Sequence, residues 1–553
     1  MVENTGTENA NVAAYLGQRA RDSARVAAIR IPAVKKGKIS FTDTGFSEME
    51  LIVSSLAGRM AGEGIHKGTR VLVLAKPGLQ LIAGVFAILQ VGGVPVVIDP
   101  GMGLSSFLRC VRHSQPEAVF GIRKGLILSH LFRKSFRTVS IRLSAQLASR
   151  SAMASMLMPQ FPVVKTAPED PAAILFTSGS TGPAKGVCYE HGMFQAQIKA
   201  VRERFEIEPG EVDFPMLPVF ALFNPALGMT TVVPPMDPGR PAKADAELQM
   251  RVMREAEVTN SFGSPVLWNK IAEEGTRSGK KLEKLKRILA AGAALSPDLV
   301  ERLQPIIPNA KIYSPYGATE ALPLTAIEGA EVLKVSARTE QGKGVCVGRA
   351  LPGVEVRVVP VRHEPLRADE LNAMGANEIG EIVATGSMVT RTYDRREEAT
   401  RMAKVVDGDR VWHRMGDLGY LDEEGRLWFC GRIAERVIAN GQSFEPECCE
   451  QVFNRHPRVY RTALIGMGPK DRKTPAIVVE PMQGEFPKGA DEVHEWILEL
   501  KELGKQTPKT SLIQHFFFRR EFPVDVRHNA KIHRLKLAQE YRSHGLEPKT
   551  EAG

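Results

Sequence analysis

Cysteine is scarce. Six occur in 553 residues, at Cys110, Cys188, Cys346, Cys430, Cys448 and Cys449. They form no C-x-x-C pair, so reduced thiols in a cytoplasmic setting are the simplest account. Aromatics are sparse at 6%, and no basic stretch interleaves them in the manner of a nucleic-acid binder, which argues against that class. A long apolar run is missing too. Residues Lys76 to Asp99 come closest, with no charge between them, but Gln80, Gln90, Gly92-Gly93 and Pro95 divide the stretch. A spanning helix needs about 20 predominantly apolar residues, so the break predicts a helix near 80–90, a turn and a strand over Val94–Ile98 instead. The first residues, MVENTGTENAN, lack the basic and apolar regions of a signal peptide. Internal repeats and low-complexity tracts are absent.

What is present is ordinary for a globular chain: 43% hydrophobic and 25% charged residues. The length exceeds what one core supports, so at least two domains are expected. Lys+Arg 73 against Asp+Glu 63 leaves a net charge of +10. Much of the excess falls in Arg123 to Arg137 and Arg519 to Arg542. Solvated faces are the ordinary reading of such runs; an anionic partner or a lipid surface is the functional one.

The most informative stretch is Ala172 to His191, AAILFTSGSTGPAKGVCYEH. Apolar, then Gly/Ser/Thr-rich, then apolar reads as strand, loop, strand. Gly179, Gly182 and Gly186 lack Cβ atoms, so the backbone is free to turn and present its N–H groups. Thr177, Ser178, Ser180, Thr181 and Lys185 add donors around an anion-binding nest, and the fitting guest is a polyphosphate. Gly179 and Lys185 have Walker A spacing. However, Ala184 replaces its second glycine and Gly186 stands where its Mg²⁺-binding hydroxyl belongs, so a P-loop NTPase is disfavoured.

TSGSTGPAKG resembles the phosphate loop of the adenylate-forming superfamily of acyl-CoA synthetases, luciferases and peptide-synthetase adenylation domains, with its proline shifted to Pro183. The resemblance implies an α/β protein. A large N-terminal domain of parallel-rich sheets with flanking helices and a smaller β subdomain spans 1–431, a hinge 432–434, and a small mobile α/β lid 435–553. Consistent with that, Val71–Leu74, the helix near 80–90 and Val94–Ile98 form a β-α-β unit, and Phe194 to Phe205 has helical spacing. Ser144 to Thr166 reads as a meandering connection.

The same resemblance assigns roles. Thr177 to Gly182 and Lys185 would hold the ATP phosphates. Gly292-Ala293-Ala294 and Ser314 would border the nucleotide. In Tyr316-Gly317-Ala318-Thr319-Glu320, Tyr316 would stack on adenine, Thr319 meet the phosphate and Glu320 hold Mg²⁺. Asp417, aided by Arg432, would accept the ribose hydroxyls. Lys531 would reach into the site during adenylation, although Ala530 replaces the usual glycine before it. Phe220, Phe223, Phe262, Gly263 and Trp268 would line the acyl cavity, made greasier by Ala221 where a histidine is common.

FALFNPALG, HRMGDLGYLDEEGRLWFCGR and FPVDVRHNAKI closely resemble the β-lactone synthetases of bacterial long-chain olefin biosynthesis. The implied substrate is a long-chain 2-alkyl-3-hydroxy acid, and other enzymes of that pathway are possible partners. A long-chain acyl-CoA synthetase is the alternative, and a non-catalytic basic lipid-binding protein a more distant one. Ala434 occupies the hinge position usually held by Asp or Lys. His191, His413 and His528 are the candidate bases for lactone closure, each with a structural reading beside the catalytic one.

Overall fold

The computed structural model describes residues 9–149, 151, 160–177, 184–237, 239–240, 243–469, 472–524 and 531–541. Three larger sheets and a two-stranded ribbon, Val437–Ala439 with Gln442–Phe444, organise them. The first has six strands in the order Ile141–Ser144, Ala118–Gly121, Arg70–Leu74, Val94–Ile98, Pro171–Thr177 and Lys185–Glu190. All neighbours are parallel except the last pair. Alternation along each strand explains why both faces are covered. Val71, Val73, Ala118 and Phe120 pack with the helices Phe46–Gly62 and Leu79–Gln90. Leu72 and Val119 pack on the other side, with Phe107, Cys110 and Val111 of helix Leu104–Ser114 and Leu126 and Leu128 of helix Arg123–Leu131. Gly84 permits the close approach of its helix, because a Cβ there would lie 2.2 Å from the Phe120 ring.

The second sheet has fourteen strands. Its centre, through Lys311–Ala318, Arg287–Ala290, Asn260–Gly263, Val212–Pro215 and Thr230–Val232, is parallel. The segments after those strands therefore gather at one edge, where α/β proteins place their sites. Beyond Ala321–Glu328 the sheet turns antiparallel and continues through Val345–Ala350, Leu427–Arg432, Arg410–Leu421 and Gly380–Gly386. At the opposite end the hairpin Ala27–Lys35 and Lys38–Gly45 adds the outermost pair. Its half-exposed pattern gives no continuous apolar run.

A third sheet, Val459–Met467, Thr474–Pro481 and His515–Phe518, packs with helices Pro446–Phe453 and Ala490–Gly504 around Trp496. The short turn Ile433–Glu435 separates this unit from Leu427–Arg432. Helix Pro446–Phe453 seats directly on that strand: a Cβ on Gly431 (φ +130°) would lie 2.7 Å from Pro446 Cδ.

The helix near 80–90 and the strand Val94–Ile98 stand as the sequence implies, as does the mixed α/β class. Phe194 to Arg204 is part of a longer helix, His191–Arg204, and Phe205 caps its end. The expected meander from Ser144 opens with a 3₁₀ turn, Ala145–Leu147.

Helix Arg534–Tyr541 is pinned by one guanidinium. Arg534 lies 2.5 Å from Glu450, 3.1 Å from Glu435 and 3.4 Å from Glu447. Burial pushes the Glu450 carboxyl up to about 7, and the Arg534 charge opposes this. Arg534→Met would leave the buried Glu435 and Glu450 without their cation. Breaking such a pair costs about 3–5 kcal/mol. Amide exchange in Val459–Met467 should therefore accelerate by at least a hundredfold while the six-stranded sheet keeps its protection. Equal acceleration in both sheets, or none, would rule out a role confined to this unit.

Candidate active site

The strands Pro171–Thr177 and Lys185–Glu190 pair antiparallel, Thr177 opposite Lys185, and so enclose the predicted phosphate loop. Ser178, Gly179, Ser180, Thr181 and Gly182 lie outside the described residues. Gly186 has a different task from the one expected of it. It sits in the strand, and a Cβ there would lie 2.8 Å from Phe176 Cζ, so its smallness serves packing rather than a turn. Lys185 begins the strand, and its ammonium stands 4.8 Å from the centre of the Tyr393 ring.

Tyr393 joins Lys185 to Glu320. Its hydroxyl donates to Glu320 Oε1 at 2.7 Å, while the isolated bridge between Val187 and Tyr393 fixes its backbone. Glu320 and Thr319 form the tip of the hairpin Lys311–Ala318/Ala321–Glu328. That turn is tight, since a Cβ on Gly317 would lie 2.4 Å from the Ala321 carbonyl oxygen. The Glu320 carbonyl accepts from Thr390 N (2.9 Å) and Thr390 Oγ1 (3.0 Å), and the Thr319 carbonyl accepts from the Tyr189 hydroxyl. Lys404 Nζ donates to Thr390 Oγ1 at 3.1 Å and lies 5.9 Å from the centre of the Tyr393 ring. Burial pulls the Lys404 ammonium down to about 7, and Glu320 resists the fall. Tyr393, Thr390 and Lys404 escape sequence reasoning because they stand far along the chain in no motif. A lysine at the start of the strand Lys404–Asp407 was the available signal.

Asp417, in the strand Arg410–Leu421, is 3% exposed. The Tyr316 hydroxyl donates to its Oδ2 at 2.6 Å, and Arg432 Nε lies 3.1 Å from Oδ1. Oδ1 is nevertheless buried without a properly directed hydrogen-bond donor. Burial pushes the Asp417 carboxyl up, while Arg432, Tyr316 and Lys531 lower it. Lys531, on the C-terminal unit and exposed, is thus near enough for its charge to act on the same carboxylate. Glu320 also acts on Asp417, and His413 senses Lys404, Lys185 and Arg432 together. One group of charges spans the region. Gly292 takes φ 100° in the turn with Ala293 and Ala294 after Arg287–Ala290, and Ser314 is buried in its strand.

The donor set suits a magnesium nucleotide. Oδ1 of Asp417 is an orphaned buried acceptor of the kind a sugar hydroxyl satisfies. Glu320 is a single carboxylate, and Mg²⁺ takes one or two protein carboxylates beside phosphate and water. Among the described residues no three His, Cys, Asp or Glu side chains cluster as an all-protein metal site.

A cavity of about 70 Å³ opens beside the hairpin, lined by Val201, Phe220, Phe223, Phe262, Leu289 and Leu322 among others. Phe220 and Phe262 stack with ring centres 3.6 Å apart. Trp268 and Gly263, expected in this lining, lie elsewhere. Trp268 is fully buried in the core beside Met216, and a Cβ on Gly263 would lie 2.5 Å from Met216 Cε. Behind the apolar lining stands a buried polar cluster, which the sequence did not reveal. Asp213 accepts from Asn224 Nδ2 (2.8 Å) and Asn260 Nδ2 (2.5 Å), and burial raises its carboxyl to about 6. His191 accepts from Val12 N at 3.3 Å with its pKa lowered to about 4 by burial. His413 Nδ1 lies 3.2 Å from the Ala403 carbonyl, with its pKa pushed well down by burial. Neither ring is among the residues lining the cavity. His528 lies outside the described residues.

The profile of the "AMP-binding enzyme" family matches residues 20–394. An olefin beta-lactone synthetase of Xanthomonas campestris pv. campestris is 38% identical over 547 residues, 96% of this chain and 97% of that one. An enzyme of the same name from Stenotrophomonas maltophilia is 38% identical over 550 residues, again 96% and 97%. Among solved structures, ATP-bound MatB from Rhodopseudomonas palustris superposes with TM-score 0.78 at 20% identity, covering 97% of this chain and 99% of that one.

Lys404 generates a prediction with a definite sign. Its folded pKa of about 7 lies below the ordinary 10.5, so between those values the unfolded chain holds the extra proton and stability rises with pH. Lys404→Met should remove a slope of ~1.4 kcal/mol per pH unit. The variant's advantage should be at its full value at and below about pH 7 and gone above pH ~10.5, the ordinary lysine value. Denaturant titrations showing a pH-independent difference would contradict the assignment.

Proposed function

This chain belongs to the AMP-binding enzyme family, and from that premise we propose that it converts a long-chain 2-alkyl-3-hydroxy acid to a β-lactone at the expense of ATP. The observation that carries the reading is the near full-length match at 38% identity to two olefin beta-lactone synthetases. The acyl-CoA ligase alternative rests on weaker likeness, such as 27% identity over 472 residues to a putative acyl-CoA ligase of Bacillus subtilis.

The charges described above fit the chemistry in two steps. First, a substrate carboxylate oxygen bonds to the α-phosphorus and pyrophosphate leaves. Two anions must approach, so fixed positive charge and positioning carry the step. Lys185 and the loop it follows would hold the leaving phosphates, Asp417 and Arg432 the ribose, and Tyr316 the base. Lys531 would neutralise the charge shared by carboxylate and α-phosphate. Glu320 would hold Mg²⁺, which would supply further positive charge there. Second, the 3-hydroxyl oxygen bonds to the acyl carbon, its proton is lost, and AMP leaves. Because that nucleophile is already part of the acyl group, high effective molarity helps offset the strain of the four-membered ring.

Residues 435–553 would then form a lid that delivers Lys531 but need not turn to admit a second substrate. That accounts for the exposed Ala434 in the turn Ile433–Glu435. The free thiols suit work in the cytoplasm, where the other enzymes of olefin synthesis would supply the acid and consume the lactone.

Incubating the protein with ATP and a synthetic 2-alkyl-3-hydroxy acid, without CoA, should yield AMP and a product lighter than the acid by one water. A product seen only with CoA, as a thioester, would establish the alternative. Lys531→Ala should slow adenylation by about 10²–10³, as for other preorganised charge stabilisers; a rate within about tenfold of wild type would remove Lys531 from the mechanism. Ala434→Pro should leave lactone closure within a fewfold of wild type, and a collapse of that step alone would mean that lid rotation is needed.

A further inference from the structure

The basic stretch Arg123 to Arg137 has no place in the chemistry above, and the fold puts it on an open face. Helices Leu104–Ser114 and Arg123–Leu131 lie on the same side of the six-stranded sheet, over Leu72 and Val119. Arg112 Nη2 reaches the Ser135 hydroxyl at 3.4 Å and so ties the first helix to the segment after the second. The outward residues of the second helix are Arg123, Lys124, Ile127, His130 and Leu131, one stripe at helical spacing. Leu131 is 73% exposed and Ile127 48%, and Leu104 on the neighbouring helix is 49% exposed. A surface helix ordinarily turns such residues inward.

Cations surround these aliphatic groups. Arg109, Arg112, Arg123, Lys124, Arg133, Lys134 and Arg137 are all exposed. Glu117 is the single acidic residue between Gly101 and Arg142. Among the described residues none of the seven is ion-paired; Arg109 Nη2 lies 3.5 Å from the Ser106 hydroxyl. Arg396 extends the positive field, since it and Arg109 both act on the Cys110 thiol.

We propose that this face is a docking surface for an anionic lipid bilayer, on which Ile127 and Leu131 enter the headgroup boundary while the seven cations meet lipid phosphates. Aliphatic tips ringed by Lys and Arg match the interfacial class of helix. A second copy of this chain is a poor occupant, because like faces would bring seven cations against seven and each chain already carries +10. An acidic protein would find no exposed aromatic anchor of the kind that dominates protein interfaces. Docking goes beyond the proposed reaction and does not require it.

The test uses the full chain and vesicles of phosphatidylcholine, with and without phosphatidylglycerol, in a flotation assay at low and high salt. The protein should float with the anionic vesicles, stay behind with the neutral ones, and be released at about 0.5 M salt, where the Debye length has shrunk to a few ångströms. Reversing three charges in K124E/R133E/K134E should weaken partitioning on the order of a hundredfold, given about fivefold for each cation lost. I127D/L131D should weaken it independently, and an L131W variant should show blue-shifted emission on the anionic vesicles alone. Circular dichroism unchanged from wild type establishes that these surface variants fold. Equal binding to neutral vesicles, or full binding by the charge-reversed protein, would overturn the proposal. So would capture of an acidic protein through this face with no vesicle binding.

Discussion

A buried carboxylate at Asp417 sets the terms for everything around it. Withdrawing one charge from water costs several kcal/mol unless partners are supplied, and its partners come from three parts of the fold. Tyr316 reaches it from the parallel half of the large sheet, Arg432 from the last strand before the C-terminal unit, and the field of Lys531 from that unit itself. The group therefore reports whether all three are correctly assembled. Its second acceptor, Oδ1, has the Arg432 charge beside it but no well-directed hydrogen-bond donor. Stability and recognition meet in the same atom.

A parallel arrangement surrounds Glu320. Its carboxylate is oriented by Tyr393 and its main chain by Thr390, and Lys404 stands behind both. The lysine is too deeply buried to keep its proton easily, so the protein tolerates an unfavourable residue close to the phosphate side of the site. Such local costs are common where electrostatics serve a reaction rather than folding.

Much of this was legible beforehand. The two strands on either side of the Gly/Ser/Thr cluster could be read because apolar runs flank it. The motif at Tyr316 to Glu320 could be read, but not that Thr319 and Glu320 form the tip of a hairpin. What escaped is instructive in each case. Tyr393 and Lys404 are joined to Glu320 only through long-range pairing, including a single bridge to Val187, and local spacing carries no trace of that. Trp268 was misplaced because an aromatic in a small-residue neighbourhood has one signature whether it faces a cavity or a core. Gly186 shows that the absence of a side chain can mean close packing as readily as a turn. Asp213, in a short apolar strand, gave no warning that two asparagines from elsewhere would receive it.

The large sheet runs unbroken from the strand carrying Asp417 to the strands carrying Phe262 and Leu289. In the proposed reaction, nucleotide anchor and fatty-acid wall would thus be parts of a single ruler, graduated from the carboxyl end. Acids of different length would all be measured from the same zero, and any surplus of carbon would be accommodated at the tail.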